Sequence, residues 1–222
     1  MGNKNHKNAC FSKDPRDSQP IKPIPETVFF GLDLENKPKL LGFCSKNESL
    51  TPLKIPNNFR IYNYAQAIII DEGLALITGG VNKEKSHIST QALIYDSCAD
   101  AATELAEMNQ ARFSHISIYY RKKIYVFGGR SKPGDENILN SAECMGLVIN
   151  KKENEKNNKG YSLDVESDKE WVKLPDAILK RCTGFSLVYR DEIYLLGGYT
   201  GQRKRSKKIE KFSLATNKYT VV

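Results

Sequence analysis

Three pairs of glycines, each preceded by an apolar run, constrain the fold of this 222-residue chain more than any other feature. The runs ALIT, IYVF and IYLL end at Gly79-Gly80, Gly128-Gly129 and Gly197-Gly198. Glycine has no Cβ atom, so it permits sharp backbone turns and close approach of neighbouring strands. A recurrence of this kind predicts a repeat architecture.

The residues before the glycines repeat as well. RFSHISIYYRKKIYVF (112–127) aligns without a gap on RCTGFSLVYRDEIYLL (181–196), so that Arg112 falls on Arg181. The first unit, NYAQAIIIDEGLALIT (63–78), keeps only the apolar-turn-apolar outline. Two short β-branched and aromatic runs around a polar turn predict a β-hairpin. Because the runs are almost continuously apolar, we expect both faces of each sheet to be covered.

Two more strands are predicted in each unit. The third strands are expected in QALIYD, NSAECMG and KKIEKFS, and the fourth in ATELAEM, EWVKLP and KYTVV. Four antiparallel strands per unit are typical of a β-propeller blade. The longer middle unit contains the polar insertion KKENEKNNKG (151–160), for which no packing is expected.

The sequence resembles the kelch-repeat family from about residue 63 to residue 222. The residues that carry the resemblance are the glycine pairs, the apolar runs before them, Tyr95 or Phe212 in the third strand and Trp171 in the fourth. Tyr219 stands in the tryptophan position of the last unit. The resemblance implies an all-β propeller in which the separated Tyr and Trp pack between blades.

These patterns divide the chain into a disordered polar tail and a propeller region. The predicted boundaries are 1–26 for the tail, 27–62 for the outer strands of a partial blade, and about 63–111, 112–180 and 181–222 for three blades. By resemblance, kelch rings have five to seven blades, so we expect an incomplete ring. Three explanations stay open: a fragment, a divergent blade within 27–56, or self-association of two chains that complete each other.

Composition narrows the function classes. The net charge of +8 favours acidic partners, but no nucleic-acid-binding module is present, so no specific nucleic acid is expected. The five cysteines form no C-x-x-C pair and the three histidines have no ligand spacing, so we expect no metal and no cofactor. No apolar stretch is long enough to cross a bilayer, and no catalytic motif is found. We therefore expect a cytoplasmic protein that is not an enzyme.

Cations and aromatic residues near the glycine pairs are candidate partner-binding residues. Arg130 and Tyr199 follow two of the pairs directly, and Arg203, Lys204 and Arg205 begin a basic loop that extends to Lys208. This loop is either a nuclear-localisation or phosphate-binding patch or a solvated connection between strands.

The repeated arginines have two interpretations. Arg112 and Arg181 either contact an acidic ligand at the mouth of the channel or bond to carbonyls and carboxylates of the architecture. Glu143 and Glu210 are equivalent third-strand carboxylates that can pair with them. His115, a lone histidine entering a strand, is expected to be packed rather than catalytic.

The N-terminus has some features of a lipidation signal but does not match the full myristoylation motif. Gly2 follows the initiator Met and Cys10 is a second acylation candidate, but His6 stands where the myristoylation motif has Ser or Thr. A plain solvated tail is therefore preferred, and membrane attachment is expected only if the chain is lipidated.

Together these features predict a non-enzymatic interaction module that presents the loops 81–90, 130–139 and 199–206 to a protein partner of unknown identity. The resemblance implies adaptor or scaffold work, such as substrate recruitment to ubiquitin ligases or cytoskeletal contacts, although no BTB or F-box segment is recognised. The alternatives are a kelch-type enzyme or small-ligand binder at the channel mouth, and a basic or lipid-anchored membrane scaffold.

Overall fold

The structure, a computed structural model, describes residues 27–32, 38–44, 48–56, 59–82, 86–153 and 161–222. The predicted tail, with Gly2 and Cys10, lies outside the described residues. Apart from one turn of 3-10 helix at Asp135–Asn137, the regular structure of the described chain consists of β-strands. The fold is thus all-β, as the repeat pattern predicts, and consists of four antiparallel sheets with two small accessory hairpins.

Sheets 1 and 2 come from the first half of the chain. Sheet 1 has the order β1-β2-β3 and sheet 2 the order β4-β5-β8-β9, while β6 and β7 form a small hairpin between β5 and β8. Their bounds are β1 Thr27–Leu32, β2 Pro38–Cys44, β3 Ser49–Leu53, β4 Gln66–Asp71, β5 Leu74–Thr78, β6 Val81–Asn82, β7 His87–Ile88, β8 Ala92–Asp96 and β9 Ala101–Glu104.

Sheets 3 and 4 follow the same plan. In sheet 3, β10, β11 and β12 are consecutive neighbours, and β12 pairs with both β13 and β14. Sheet 4 has the order β15-β16-β19-β20, with β17 and β18 as its accessory hairpin. Their bounds are β10 Ile116–Tyr120, β11 Lys123–Phe127, β12 Ala142–Glu153, β13 Tyr161–Ser167, β14 Val172–Leu174, β15 Phe185–Tyr189, β16 Glu192–Leu196, β17 Tyr199–Gly201, β18 Lys204–Arg205, β19 Glu210–Ser213 and β20 Lys218–Val221.

The first strands of the sheets lie next to one another, β1 beside β4, β4 beside β10, and β10 beside β15. This arrangement places sheet 1 differently from the sequence expectation. Residues 27–62 were expected to contain the outer strands of a partial blade, whereas β1 occupies the inner position that β4, β10 and β15 take in their sheets. Sheet 1 therefore supplies the first three positions of a blade, and no fourth strand pairs with it among the described residues.

Apolar cores fill the spaces between successive sheets. Leu40 of sheet 1 packs with Ile77 of sheet 2, Leu76 of sheet 2 with Val126 of sheet 3, and Phe127 of sheet 3 with Phe212 of sheet 4. Trp171 immediately precedes β14 and is buried in the core between sheets 2 and 3. Its Nε1 donates to the carbonyl of Ala106 at 2.8 Å. It packs between blades, as the resemblance implies.

The described residues on either side of 154–160 in the middle unit form regular structure that the sequence does not predict. β12 continues to Glu153 and pairs with β13, so that the two flanks of the insertion form a β-ribbon. Ile149 and Val165 of this ribbon pack against the core between sheets 2 and 3, because apolar residues alternate along one of its faces. Lys151 also pairs with Asp71 of sheet 2 at 3.0 Å. The prediction that 151–160 has no packing is therefore wrong for its described first three residues.

The expectation that both faces of every sheet are covered is wrong for sheet 4. β5 and β8 are buried at every position, but β15 alternates between exposed and half-buried residues. The apolar run FSLVY therefore has one face that no described sheet covers.

Candidate functional site

The glycine pairs join each sheet to the next through backbone hydrogen bonds. The amide of Gly80 in sheet 2 donates to the carbonyl of Arg112 at 2.9 Å, and Gly129 in sheet 3 donates to Arg181 at 2.8 Å. Both arginines lead into the following sheet. A Cβ atom at Gly79 or Gly128 would lie 2.2 or 2.3 Å from the same carbonyl oxygens, so only glycine permits this approach.

Arg112 and Arg181 are buried parts of this architecture. The guanidinium of Arg112 donates to the carbonyl of Gly128 at 2.7 Å and to Glu143 at 2.8 Å, and Arg181 makes the equivalent contacts with Gly197 and Glu210. Burial lowers the pKa of Arg112, and the neighbouring Glu143 carboxylate opposes that shift.

Of the two interpretations of these arginines, the geometry therefore fits the architectural one. At 1% and 0% exposure, the side chains of Arg112 and Arg181 cannot contact a partner in this arrangement. The carboxylates of Glu143 and Glu210 are committed to the arginines and to the backbone amides of Asn109 and Leu179.

A cleft of about 580 Å³ opens where the segments after the glycine pairs meet. Sheets 2, 3 and 4 all contribute to its wall. The described lining contains two arginines, several hydroxyls and several apolar side chains, but no carboxylate. The lining residues are Tyr64, Val81, Ser86, Ile88, Phe113, Ser114, Arg130, Pro133, Cys182, Thr183, Tyr199 and Arg205.

Equivalent residues of the three sheets form a continuous path along this cleft. Tyr64, Ser114 and Thr183 all have left-handed backbone conformations, with φ of 57°, 51° and 54°. The amide of Ser114 donates to Tyr64 O at 2.9 Å, and the amide of Thr183 donates to Ser114 O at 2.7 Å. The wall is therefore built from repeated, hydrogen-bonded backbone rather than from one loose loop.

Arg130 and Tyr199 are held in a fixed pair. The Arg130 guanidinium lies over the Tyr199 ring, 5.3 Å from its centroid, and its Nε donates to Cys182 Sγ at 3.3 Å. Burial alone would lower the pKa of Arg130, but the bond to Cys182 and the nearby Asp135 charge raise it above its ordinary value. The arginine is therefore a permanent cation in the cleft wall.

Asp135 connects the loop after sheet 3 to the hairpin after sheet 4. Its carboxylate accepts hydrogen bonds from the Tyr199 hydroxyl and from the amide of Gln202, both at 2.7 Å. The Tyr199 hydrogen bond is the main reason why the pKa of Asp135 is lower than usual. The two segments therefore form one unit at this side of the cleft.

The structure brings together some of the predicted binding residues and separates others. Arg130, Tyr199 and Arg205 line the cleft, while Arg203 and Lys204 are exposed on the same hairpin without lining it. One of the two interpretations of the basic segment was a solvated connection between strands, but Lys204 and Arg205 form β18, which pairs with β17 just before the segment.

Sequence reasoning missed Tyr64, Phe113 and Thr183 as cleft residues. A signal was available for the last two, because Phe113 and Thr183 lie next to the repeated Arg112 and close to Arg181. Tyr64 was hidden, because the first unit has one more residue than the others between this position and its glycine pair. A β-bulge between Ile69 and Asp71 accommodates that residue.

Within the described part of the chain, no group of three or more His, Cys, Asp or Glu side chains is placed to hold a metal ion. No helix among these residues has the length and apolar character that a membrane span requires.

The stacked antiparallel sheets, the glycine-pair junctions and the loop-lined cleft define a propeller-type repeat protein. The Kelch motif model matches residues 180–222, which span sheet 4. The motif match supports a relationship to kelch-repeat proteins, and the all-β fold is consistent with a kelch-type propeller.

Known relatives agree with this assignment. Three similar proteins are Kelch repeat and BTB domain-containing protein 8 of Rattus norvegicus, Mus musculus and Homo sapiens. Each is 26% identical to the chain over 172 residues. The alignments cover 65% of this chain and 30%, 29% and 29% of those proteins. The chain thus spans less than a third of the length of the curated relatives that it matches.

Proposed function

We propose that this protein is a non-enzymatic protein–protein interaction module, an adaptor or scaffold, and that the cleft is its partner-binding site. The observation that carries the proposal is that equivalent segments of three successive sheets converge on one cleft. Binding residues on loops held by a stiff scaffold are a common arrangement for recognition. The kelch motif and the kelch-repeat relatives support a protein-binding role.

The chemistry of the cleft favours an acidic segment of the partner. Arg130 and Arg205 provide positive charge, Ser114 and Thr183 provide hydroxyls, and no carboxylate is present in the described lining. Phe113 and other apolar residues also line the cleft, so an apolar side chain of the partner would be desolvated there. We therefore expect a peptide that combines Asp or Glu with an apolar or aromatic residue.

Selection from a displayed peptide library tests this proposal. Peptides selected on the wild-type chain should be enriched in Asp and Glu, and Arg205→Glu should weaken their binding at least about tenfold, which corresponds to about 1.4 kcal/mol. Arg203→Glu is the matched control, because Arg203 is an exposed cation of the same hairpin that does not line the cleft.

The control separates the cleft from the general charge of the hairpin. Arg203→Glu should change affinity less than about twofold, since a charge outside the contact is screened by salt. Equal losses in both variants would mean that the basic hairpin attracts peptides non-specifically, and selection of neutral peptides would contradict the acidic partner.

A small ligand is the second candidate for the same cleft. Its volume of about 580 Å³ falls within the range of about 300–1,000 Å³ that is usual for small-molecule sites. A metabolite that raises the melting temperature of the wild-type chain, but not of Tyr199→Ala, would favour this function over peptide binding.

A further inference from the structure

One face of sheet 4 carries a patch of exposed apolar side chains. Phe185, Leu187 and Tyr189 alternate along β15 and are 64%, 37% and 54% exposed. Tyr194 and Leu196 of β16 lie opposite Leu187 and Phe185, so their side chains point to the same face. We call these five residues the end face of sheet 4.

The equivalent residues of sheet 3 form a stacking surface. In the repeat alignment, Phe185, Leu187 and Tyr189 correspond to Ile116, Ile118 and Tyr120. These residues, with others of the same face, pack into the core between sheets 3 and 4. The end face of sheet 4 therefore has the residues of a sheet-stacking surface, but no sheet covers it within the described chain.

Gly197 provides a second, independent sign of an unfilled position. At Gly79 and Gly128, the space beside the glycine is occupied by a carbonyl of the next sheet. At Gly197, a Cβ atom would meet nothing within 4 Å, although φ is the same +60°. The neighbouring amide of Gly198 likewise has no carbonyl of a following sheet to bond among the described residues. The backbone at this junction is therefore shaped for a further sheet.

The opposite end of the molecule carries a complementary surface. Leu40 and Leu53 of sheet 1 face sheet 2, so Leu41 on β2 and Leu50 on β3 lie on the other side. Leu50 is 57% exposed. Phe43, opposite Leu50, and Pro52, opposite Leu41, complete this end face of sheet 1. At each junction between successive sheets, the face of a sheet that corresponds to this end face packs against the preceding sheet.

We propose that two copies of this chain associate head to tail, so that the end face of sheet 4 in each copy stacks on the end face of sheet 1 in the other. The two junctions would be identical and related by a two-fold axis, which closes the assembly instead of extending it. Twice the four described sheets is eight, which is one more than the five to seven blades implied by the kelch resemblance and within the range of about four to eight for closed propellers.

The chemistry of the end face of sheet 4 is compatible with burial. An aromatic side chain buries about 150–250 Å², so two junctions with several aromatic and aliphatic residues exceed the roughly 1,000 Å² of a specific interface. At the outer side of the same face of sheet 4, Lys211 pairs with Glu192 at 3.0 Å. Stacking there would not bury an uncompensated charge.

Size-exclusion chromatography with light scattering on the 222-residue chain tests the proposal. We expect a mass of twice 25.1 kDa for the wild type. Leu187→Lys and Leu50→Lys should each give the monomer mass, because each substitution places a charge on one of the two faces that meet at both junctions. Ile178→Lys is the control, since Ile178 is an equally exposed apolar residue (52%) outside both end faces, and this variant should remain dimeric.

Mixing the two variants tests the head-to-tail arrangement itself. Leu187→Lys and Leu50→Lys together retain one intact junction, so the mixture should regain dimer that neither variant forms alone. A face-to-face contact of two sheet 4 surfaces would leave Leu50→Lys fully dimeric and would overturn the proposal. A wild-type mass of 25.1 kDa at all concentrations, or masses above the dimer, would overturn it as well.

Hydrogen exchange of the wild type avoids variants that fail to fold. With rising protein concentration, amides of 185–198 and 39–53 should gain protection, including that of Gly198. Unchanged exchange at both end faces across the dimerisation range would contradict the stacking.

Discussion

The carboxylate of Glu143 binds both the buried Arg112 and the backbone of Asn109 in the segment that connects sheets 2 and 3. It accepts from Arg112 and from the amide of Asn109, both at 2.8 Å. Glu143→Gln removes the negative charge and leaves the Arg112 guanidinium uncompensated in a buried site. We expect the free energy of unfolding to fall by about 3 kcal/mol. Urea denaturation followed by circular dichroism measures this loss, and Glu210→Gln should behave in the same way.

An exposed ion pair provides the comparison. Arg121 and Asp191 lie 2.6 Å apart with side chains 59% and 53% exposed, so Asp191→Asn should cost less than about 1 kcal/mol. Similar losses in both variants would mean that Glu143 does not stabilise a buried cation. The equivalence of Arg112 with Arg181 could be predicted from the repeat alone, but their burial could not, because it depends on the position of the next sheet.

The junction between a glycine pair and the next sheet can be tested by two matched substitutions. Gly128 and Gly197 both have φ of +60°, so alanine at either position meets the same backbone strain of roughly 1–2 kcal/mol. At Gly128 the new Cβ would also lie 2.3 Å from the carbonyl oxygen of Arg181. Gly128→Ala should therefore lower the free energy of unfolding by at least about 2 kcal/mol more than Gly197→Ala.

Thermal or urea unfolding at concentrations where the chain is monomeric makes this comparison. If both substitutions lowered the free energy of unfolding equally, the glycines would be needed only for their backbone conformation and not for the close contact between sheets. The strands around these junctions were predictable, since apolar runs and turn residues are local signals. The inner position of β1 was not predictable, because sheet 1 has no glycine pair to set its register. The exposure of Phe185 could not be predicted either, since it depends on whether a neighbouring sheet covers it.

His115 makes the stability of the whole stack depend on pH. It is fully buried, and its Nε2 shares a hydrogen bond of 2.7 Å with the hydroxyl of Thr78 in the preceding sheet. Burial, together with the positive charge of Arg112, holds the pKa of His115 well below 6.5. Unfolding exposes the ring to water and restores its ordinary pKa of about 6.5, so the unfolded chain binds a proton that the folded chain does not. Acidification below that value therefore favours unfolding.

Between about pH 7 and pH 5.5, the contribution of His115 to the free energy of unfolding should fall by up to about 1.4 kcal/mol per pH unit. His115→Gln, which keeps a polar group near Thr78 without titrating, should flatten this dependence. His87→Gln, at an exposed histidine, should retain the wild-type slope. Urea denaturation at several pH values measures all three. If His115→Gln kept the full slope, the acid sensitivity would come from other groups, and protonation of the histidine between sheets 2 and 3 would not control how firmly they stack.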